Sequence, residues 1–146
     1  MDNKWLELVE RLGTYTDHIF IPNLPHLAKQ LGCTIKKSMC DVEYRQSGMY
    51  AYYDVIVVME DKKGRELVFV GQINKQVEAE YFEEFKKKVE NLLKYEPNYK
   101  GKIVPVLAGL IVSEDLMDLA QKHKILLVRM GADYLEALNP EILESF

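Results

Sequence analysis

Trp5, Leu8, Val9 and Leu12 recur at helical spacing over residues 3–12, and Gly13 follows as a stop, which predicts a first amphipathic helix. Residues 16–31 repeat that spacing with Ile19, Phe20, Leu24, Leu27 and Leu31. Pro22 and Pro25 each remove a backbone donor there, so a kinked or two-piece helix closed by Gly32 is expected. From residue 33 to 53 the pattern turns extended, with Thr34, Ile35, Val42, Tyr44, Tyr50 and Tyr52 among polar neighbours. Residues 53–59, the polar run Glu60-Asp61-Lys62-Lys63-Gly64-Arg65, and residues 66–75 read as strand, turn and strand.

Residues 78–95 return to helical spacing, with Tyr81, Phe82, Phe85, Val89, Leu92 and Leu93 in one stripe. Glu83 with Lys87 and Glu84 with Lys88 form i,i+4 pairs expected to face water, and Pro97 and Gly101 end the element. Residues 103–112 are almost unbroken apolar sequence, as in a strand covered on both faces. Ser113 then caps a helix with Glu114 and Asp115 in its first turn, burying Leu116, Leu119 and Ala120 and ending near His123. Ile125-Leu126-Leu127-Val128 is the next buried strand, which makes a right-handed βαβ crossover with parallel strands. A helical turn is expected at residues 134–138. The sum is an α/β fold, a mixed central sheet flanked by helices.

Length and charge narrow this picture. The chain has 146 residues, 48% of them hydrophobic, which suits one domain over residues 1–146 around one core. No apolar run reaches the about twenty residues of a membrane span, and Met1-Asp2-Asn3-Lys4 has no secretion-signal character, so a cytoplasmic protein with no membrane partner is expected. Cys33 and Cys40 have no companion pair and read as reduced and structural. The 19 Lys plus Arg against 23 Asp plus Glu give a net charge of -4, the wrong sign for a protein that neutralises many phosphates.

Candidate chemistry is sparse. Lys86-Lys87-Lys88 is balanced by Glu83, Glu84 and Glu90 and reads as a solvated helix face. Lys62, Lys63 and Arg65 form a basic hairpin suited to touching a DNA backbone. Tyr50, Tyr52 and Tyr53 read as packing residues before base-stacking ones. His18, His26 and His123 lack metal-ligand spacing. Asp54 reads equally as an exposed strand-end residue or a hydrogen-bond acceptor, Asp17 as a helix N-cap, and Gln72 with Asn74 as a polar stripe on one strand face.

Tyr53-Asp54-Val55-Ile56-Val57 on one hairpin strand and Val70-Gly71-Gln72-Ile73-Asn74 on the next, in this order of elements, resemble the PD-(D/E)XK (restriction-endonuclease-like) nuclease superfamily. Its mark is an Asp on one strand, then an acidic residue, any residue and a lysine on the following strand. Leu12-Gly13-Thr14-Tyr15-Thr16-Asp17 is similar to a helix start that carries an acid in prokaryotic members, and residues 108–114 with the helix and strand after them resemble their closing βαβ unit. The resemblance implies Asp54 and Asp17 as Mg²⁺ ligands, with the metal polarising a phosphodiester and activating water.

This chain departs from the motif at two of its three charges: Gln72 replaces the acidic residue and Asn74 the lysine. Lys75 is one residue too far, and strand alternation puts it on the other face unless a bulge at Gly71 brings it round. The resemblance therefore implies a nuclease-fold protein with a decayed centre, leaning away from an enzyme, holding Mg²⁺ weakly or not at all, and serving as a binding or assembly module for a protein or DNA partner. Two alternatives stand beside it. One is an active Mg²⁺-dependent DNA endonuclease using Asp17, Asp54, Gln72 and a repositioned Lys75. The other is a structural homodimer joined through Ile142, Leu143 and Phe146.

Overall fold

The computed structural model describes residues 16–131 and 135–146, with side chains from Phe20 onward. The helix expected over residues 3–12 lies outside them. A helix α1 (Thr16–Gln30) leads into six strands, β1 (Thr34–Gln46), β2 (Met49–Glu60), β3 (Glu66–Gln76), β4 (Ile103–Ile111), β5 (Leu126–Met130) and β6 (Leu135–Ala137). The helix α2 (Tyr81–Leu92) joins β3 to β4, and α3 (Met117–His123) joins β4 to β5. The strands lie side by side in chain order; β3–β4 and β4–β5 are parallel and the other neighbours antiparallel. This is the mixed, helix-flanked α/β sheet that the periodicity predicts.

Each face of the sheet has its own core. Phe20, Leu24, Leu27 and Ala28 of α1 pack on Val55, Val57, Phe69, Val106 and Val128. Phe82, Phe85, Val89 and Leu92 of α2 and Ala120 of α3 pack on Tyr53, Ile56, Val68, Val70, Leu107 and Leu127 from the other side. β4 feeds both cores, with Val104, Val106 and Ala108 on one face and Leu107 on the other, which explains its unbroken apolar run.

Four expectations change. α1 is one continuous helix through Pro22 and Pro25. Pro22 is exposed, and the apolar face at Phe20, Leu24, Leu27 and Ala28 stays in phase, so packing outweighs the lost donors. The helix then closes on Gly32 (φ 89°), with Cys33 N–H donating to the Ala28 carbonyl. Residues 135–137 form β6, an edge strand paired with β5, in place of a helical turn. Asn139 explains the stop after it. Its buried side chain accepts from Leu127 N–H (2.8 Å) and donates to the Ile125 carbonyl (2.9 Å), extending β5's pairing without more strand. Ile142 is buried and Leu143 and Phe146 pack on the α1-side core, so the residues expected at a dimer surface cover their own sheet. Cys33 is buried as expected of a structural thiol, whereas Cys40 is exposed on the outer strand.

β1 is an exposed edge, interrupted by a register shift between Ile35 and Lys37 and by Asp41 in the left-handed region (φ 50°). Ser47 and Gly48, both at positive φ, turn it tightly into β2. Among the described residues no helix is long and apolar enough to cross a membrane.

Candidate functional site at the mouth of the central hairpin

β2 and β3 are zipped only in part. Their pairing runs from Glu60↔Glu66 to Val55↔Gly71 and then stops, while β3 continues alongside β4 to Gln76↔Ile111. Gly71 sits at the parting point, where a Cβ would lie 2.6 Å from Val55 Cγ1 and 3.3 Å from Leu24 Cδ2. Beyond it the Asp54 side chain takes over from the ladder: its Oδ2 accepts from Ile73 N–H at 2.8 Å. Asp54 thus sits in the middle of β2, not at a strand end, and its carboxylate serves as a hydrogen-bond acceptor.

Gln72 and Asn74 follow Val68 and Val70 on the α2 side of β3, both half-buried, and the Gln72 amide donates to Asn74 Oδ1 at 3.2 Å. Lys75 is exposed on the opposite side of the strand. The β3–β4 register keeps a constant offset from Val68↔Ile103 to Gln76↔Ile111, so no bulge turns Lys75 toward Gln72. Asp17 belongs to the first turn of α1, the helix on the other face of the sheet, and its side chain lies outside the described residues.

The sequence reading missed Lys88. Instead of pairing with Glu84 in solvent, it is half-buried on the flank of α2's apolar stripe, three residues after Phe85 and four before Leu92. Its ammonium stands 5.3 Å from the Tyr53 ring centre and 6.0 Å from that of Tyr52. Burial lowers its pKa from the ordinary lysine value, and the Asp54 carboxylate works in the opposite direction. Among the described residues its ammonium makes no hydrogen bond and no ion pair. Lys86, for contrast, donates to the His123 carbonyl, and Lys87 alone of the three is fully exposed. One signal was available: Lys88 falls on the edge of the apolar stripe, where an amphipathic stem is expected to bury itself.

Tyrosines wall this mouth. Tyr53 is buried, donates to the Lys88 carbonyl at 2.8 Å, and has its pKa pushed up to about 12, first by burial and then by Tyr95. Tyr44 stacks on Tyr95 with centroids 5.0 Å apart and donates to Glu96 at 3.2 Å, tying β1 to the chain after α2. Burial and Glu96 raise its pKa. Tyr52 donates to Asp41, and Tyr50 is exposed beneath Arg45.

The resemblance implies Mg²⁺ here, and the donors can be tested against it. The described residues offer one carboxylate, already holding Ile73 N–H, two neutral amides and a nearby ammonium. Among the described residues no group of three or more His, Cys, Asp or Glu is placed to hold a metal. Mg²⁺ needs anionic oxygens to repay its dehydration, and the donors among the described residues do not supply them by themselves; the side chain of Asp17, the other implied ligand, lies outside those residues.

The basic hairpin is partly spent. The Asp61 carboxylate accepts from Lys63 N–H (2.9 Å), Arg65 N–H (2.9 Å) and Arg65 Nε (2.8 Å), and Arg65 also donates to the Phe146 carbonyl. Partial burial acts against the ionised Asp61, but these donors hold its pKa below the ordinary value. Lys62 and Lys63 remain exposed.

No curated protein matches the sequence. Among solved structures, the chain is similar to a repair endonuclease from Pyrococcus abyssi at 16% identity and TM-score 0.48, over 75% of this chain and 45% of that one. EndoMS in complex with double-stranded DNA is similar at 14% identity and TM-score 0.46, over 75% of this chain and 44% of that one. An XisH family protein from Nostoc punctiforme PCC 73102 is similar at 10% identity and TM-score 0.46, over 82% of this chain and 98% of that one. The chain thus spans less than half the length of the two endonucleases. A family described as a domain of unknown function, DUF8196, matches residues 25–137, and the chain belongs to that family.

Proposed function

We propose that this protein is a restriction-endonuclease-like module that binds rather than cleaves. One observation carries the reading. Where the nuclease motif needs a second acid and a lysine, Gln72 and Asn74 pair with each other, and the Asp54 carboxylate is engaged by Ile73 N–H. Phosphoryl transfer depends on fixed charge at the reacting group, and the amides supply none. Its partner is a nucleic acid or another protein.

The test is titration of Mg²⁺ and Mn²⁺ into wild type and Asp54→Ala, followed by cleavage assays on single- and double-stranded DNA. The expected result is no turnover on either. Metal-dependent turnover lost in Asp54→Ala overturns the reading. The alternative, an active Mg²⁺-dependent DNA endonuclease, draws on Lys88: α2 supplies a cation near enough for Asp54 to act on it electrostatically, where β3 has none. In that case cleavage also disappears in Lys88→Met and survives Lys75→Met.

A further inference from the structure

Lys88 differs from the other half-buried cations among the described residues in what surrounds it. Lys102 meets Glu66 at 3.2 Å, Arg129 meets Glu136 at 3.2 Å, Arg65 meets Asp61 at 2.8 Å, and Lys86 has the His123 carbonyl at 3.2 Å. The Lys88 ammonium has two tyrosine faces and no acceptor atom among the described residues. Every fully buried side-chain nitrogen or oxygen of the described residues has a hydrogen-bond partner, so the Lys88 ammonium, which has none, retains access to solvent. A cation partly stripped of water, with no anion in hydrogen-bond or ion-pair contact among the described residues and only the Asp54 carboxylate acting on it from farther off, favours one from outside. The Gln72 and Asn74 amides on the same side of the sheet add neutral N–H donors that fit an oxyanion.

We infer that Lys88, with Gln72 and Asn74, forms a phosphate-binding site that works without a metal, the ammonium supplying the positive charge. The inference rests on the non-cleaving reading above. It also fixes the role of Asp54 in a way a metal site would reverse. A carboxylate that holds Mg²⁺ attracts a phosphate through the metal, whereas a carboxylate without one, beside Lys88, repels it. Neutralising Asp54 therefore strengthens binding here and abolishes it at a metal site. In Asp54→Asn the new carboxamide keeps an oxygen for Ile73 N–H, so the local backbone is preserved.

The experiment is titration of inorganic phosphate, and separately of a mixed-sequence single-stranded oligonucleotide, into wild type, Lys88→Met, Lys88→Arg and Asp54→Asn, with EDTA present throughout. Saturable binding is expected in EDTA, weakened tenfold or more in Lys88→Met, largely kept in Lys88→Arg, and tightened about threefold in Asp54→Asn. Binding of both probes assigns the site to a phosphate group in general, and binding of the oligonucleotide alone to the nucleic-acid backbone; either supports the inference. No binding in EDTA, or equal binding by wild type, Lys88→Met and Asp54→Asn, overturns it. Circular dichroism establishes that each variant is folded, and Lys88→Arg with Asp54→Asn decides the matter if Lys88→Met is not. Failure of the underlying reading looks different: binding then appears only with Mg²⁺, and cleavage accompanies it.

Discussion

The two halves of the β2–β3 pair are built from the same two strands on opposite rules. In one half Val55, Val57 and Met59 of β2 oppose Gly71, Phe69 and Leu67 of β3, all buried, with every rung of the ladder made. In the other half the strands part, and polar side chains, Asp54 to Ile73 N–H and Gln72 to Asn74, replace backbone rungs and apolar contacts. The zipped half forms the sheet's core. The open half gives up that burial and holds charge and amides half-accessible, where they can meet a ligand.

The sharpest way to break this contrast is Phe69→Ala. It removes a fully buried ring between α1 and the sheet and is expected to cost about 3–5 kcal/mol in chemical denaturation. Gly71→Val, at the parting point, forces a side chain against Val55 and Leu24 and is expected to cost about 1–3 kcal/mol in the same measurement. Asp54→Ala strands the Ile73 N–H and is expected to cost about 1–3 kcal/mol, with faster amide exchange at Ile73 and unchanged exchange at Phe69. In the open half, Gln72→Leu combined with Asn74→Leu removes both partners of one hydrogen bond and is expected to shift stability by about 0.5 kcal/mol or less.

The remaining prediction is a pH dependence. Tyr53 ionises near pH 10 when unfolded and at about 12 when folded. Its contribution is therefore complete below about pH 10 and is lost as pH rises toward 12, because the unfolded chain gives up the proton first. The denaturation midpoint should fall over that window, and Tyr53→Phe should flatten the decline.

Periodicity made the zipped half readable. The run at Val55 to Met59, the turn with Asp61 and Gly64, and the alternation through Leu67 and Phe69 leave few other structures. The stripe of α2 and the doubly covered β4 were readable for the same reason. The open half was less so. Asp54, Gln72 and Asn74 were identifiable as a group only through the family resemblance, since single polar residues carry no period. Lys88 was hidden because sequence-local pairing with Glu84 competes with a contact to β2 that is distant along the chain. β6 is three residues long, too short for alternation to separate strand from helical turn. The path of α1 through two prolines depends on the sheet beneath it.

The outer strand has a consequence for how the molecule behaves in a crowded solution. β1 exposes a 13-residue edge whose free backbone groups could template other chains. The left-handed Asp41, pinned by Tyr52, and the register shift after Ile35 break that edge into pieces too short and too bent for a second strand to lie along. Lys36 and Lys37 add charge beside the first break. A substitution such as Asp41→Val, favouring extended backbone, would straighten the edge and expose the protein to strand-by-strand polymerisation while its core remained intact.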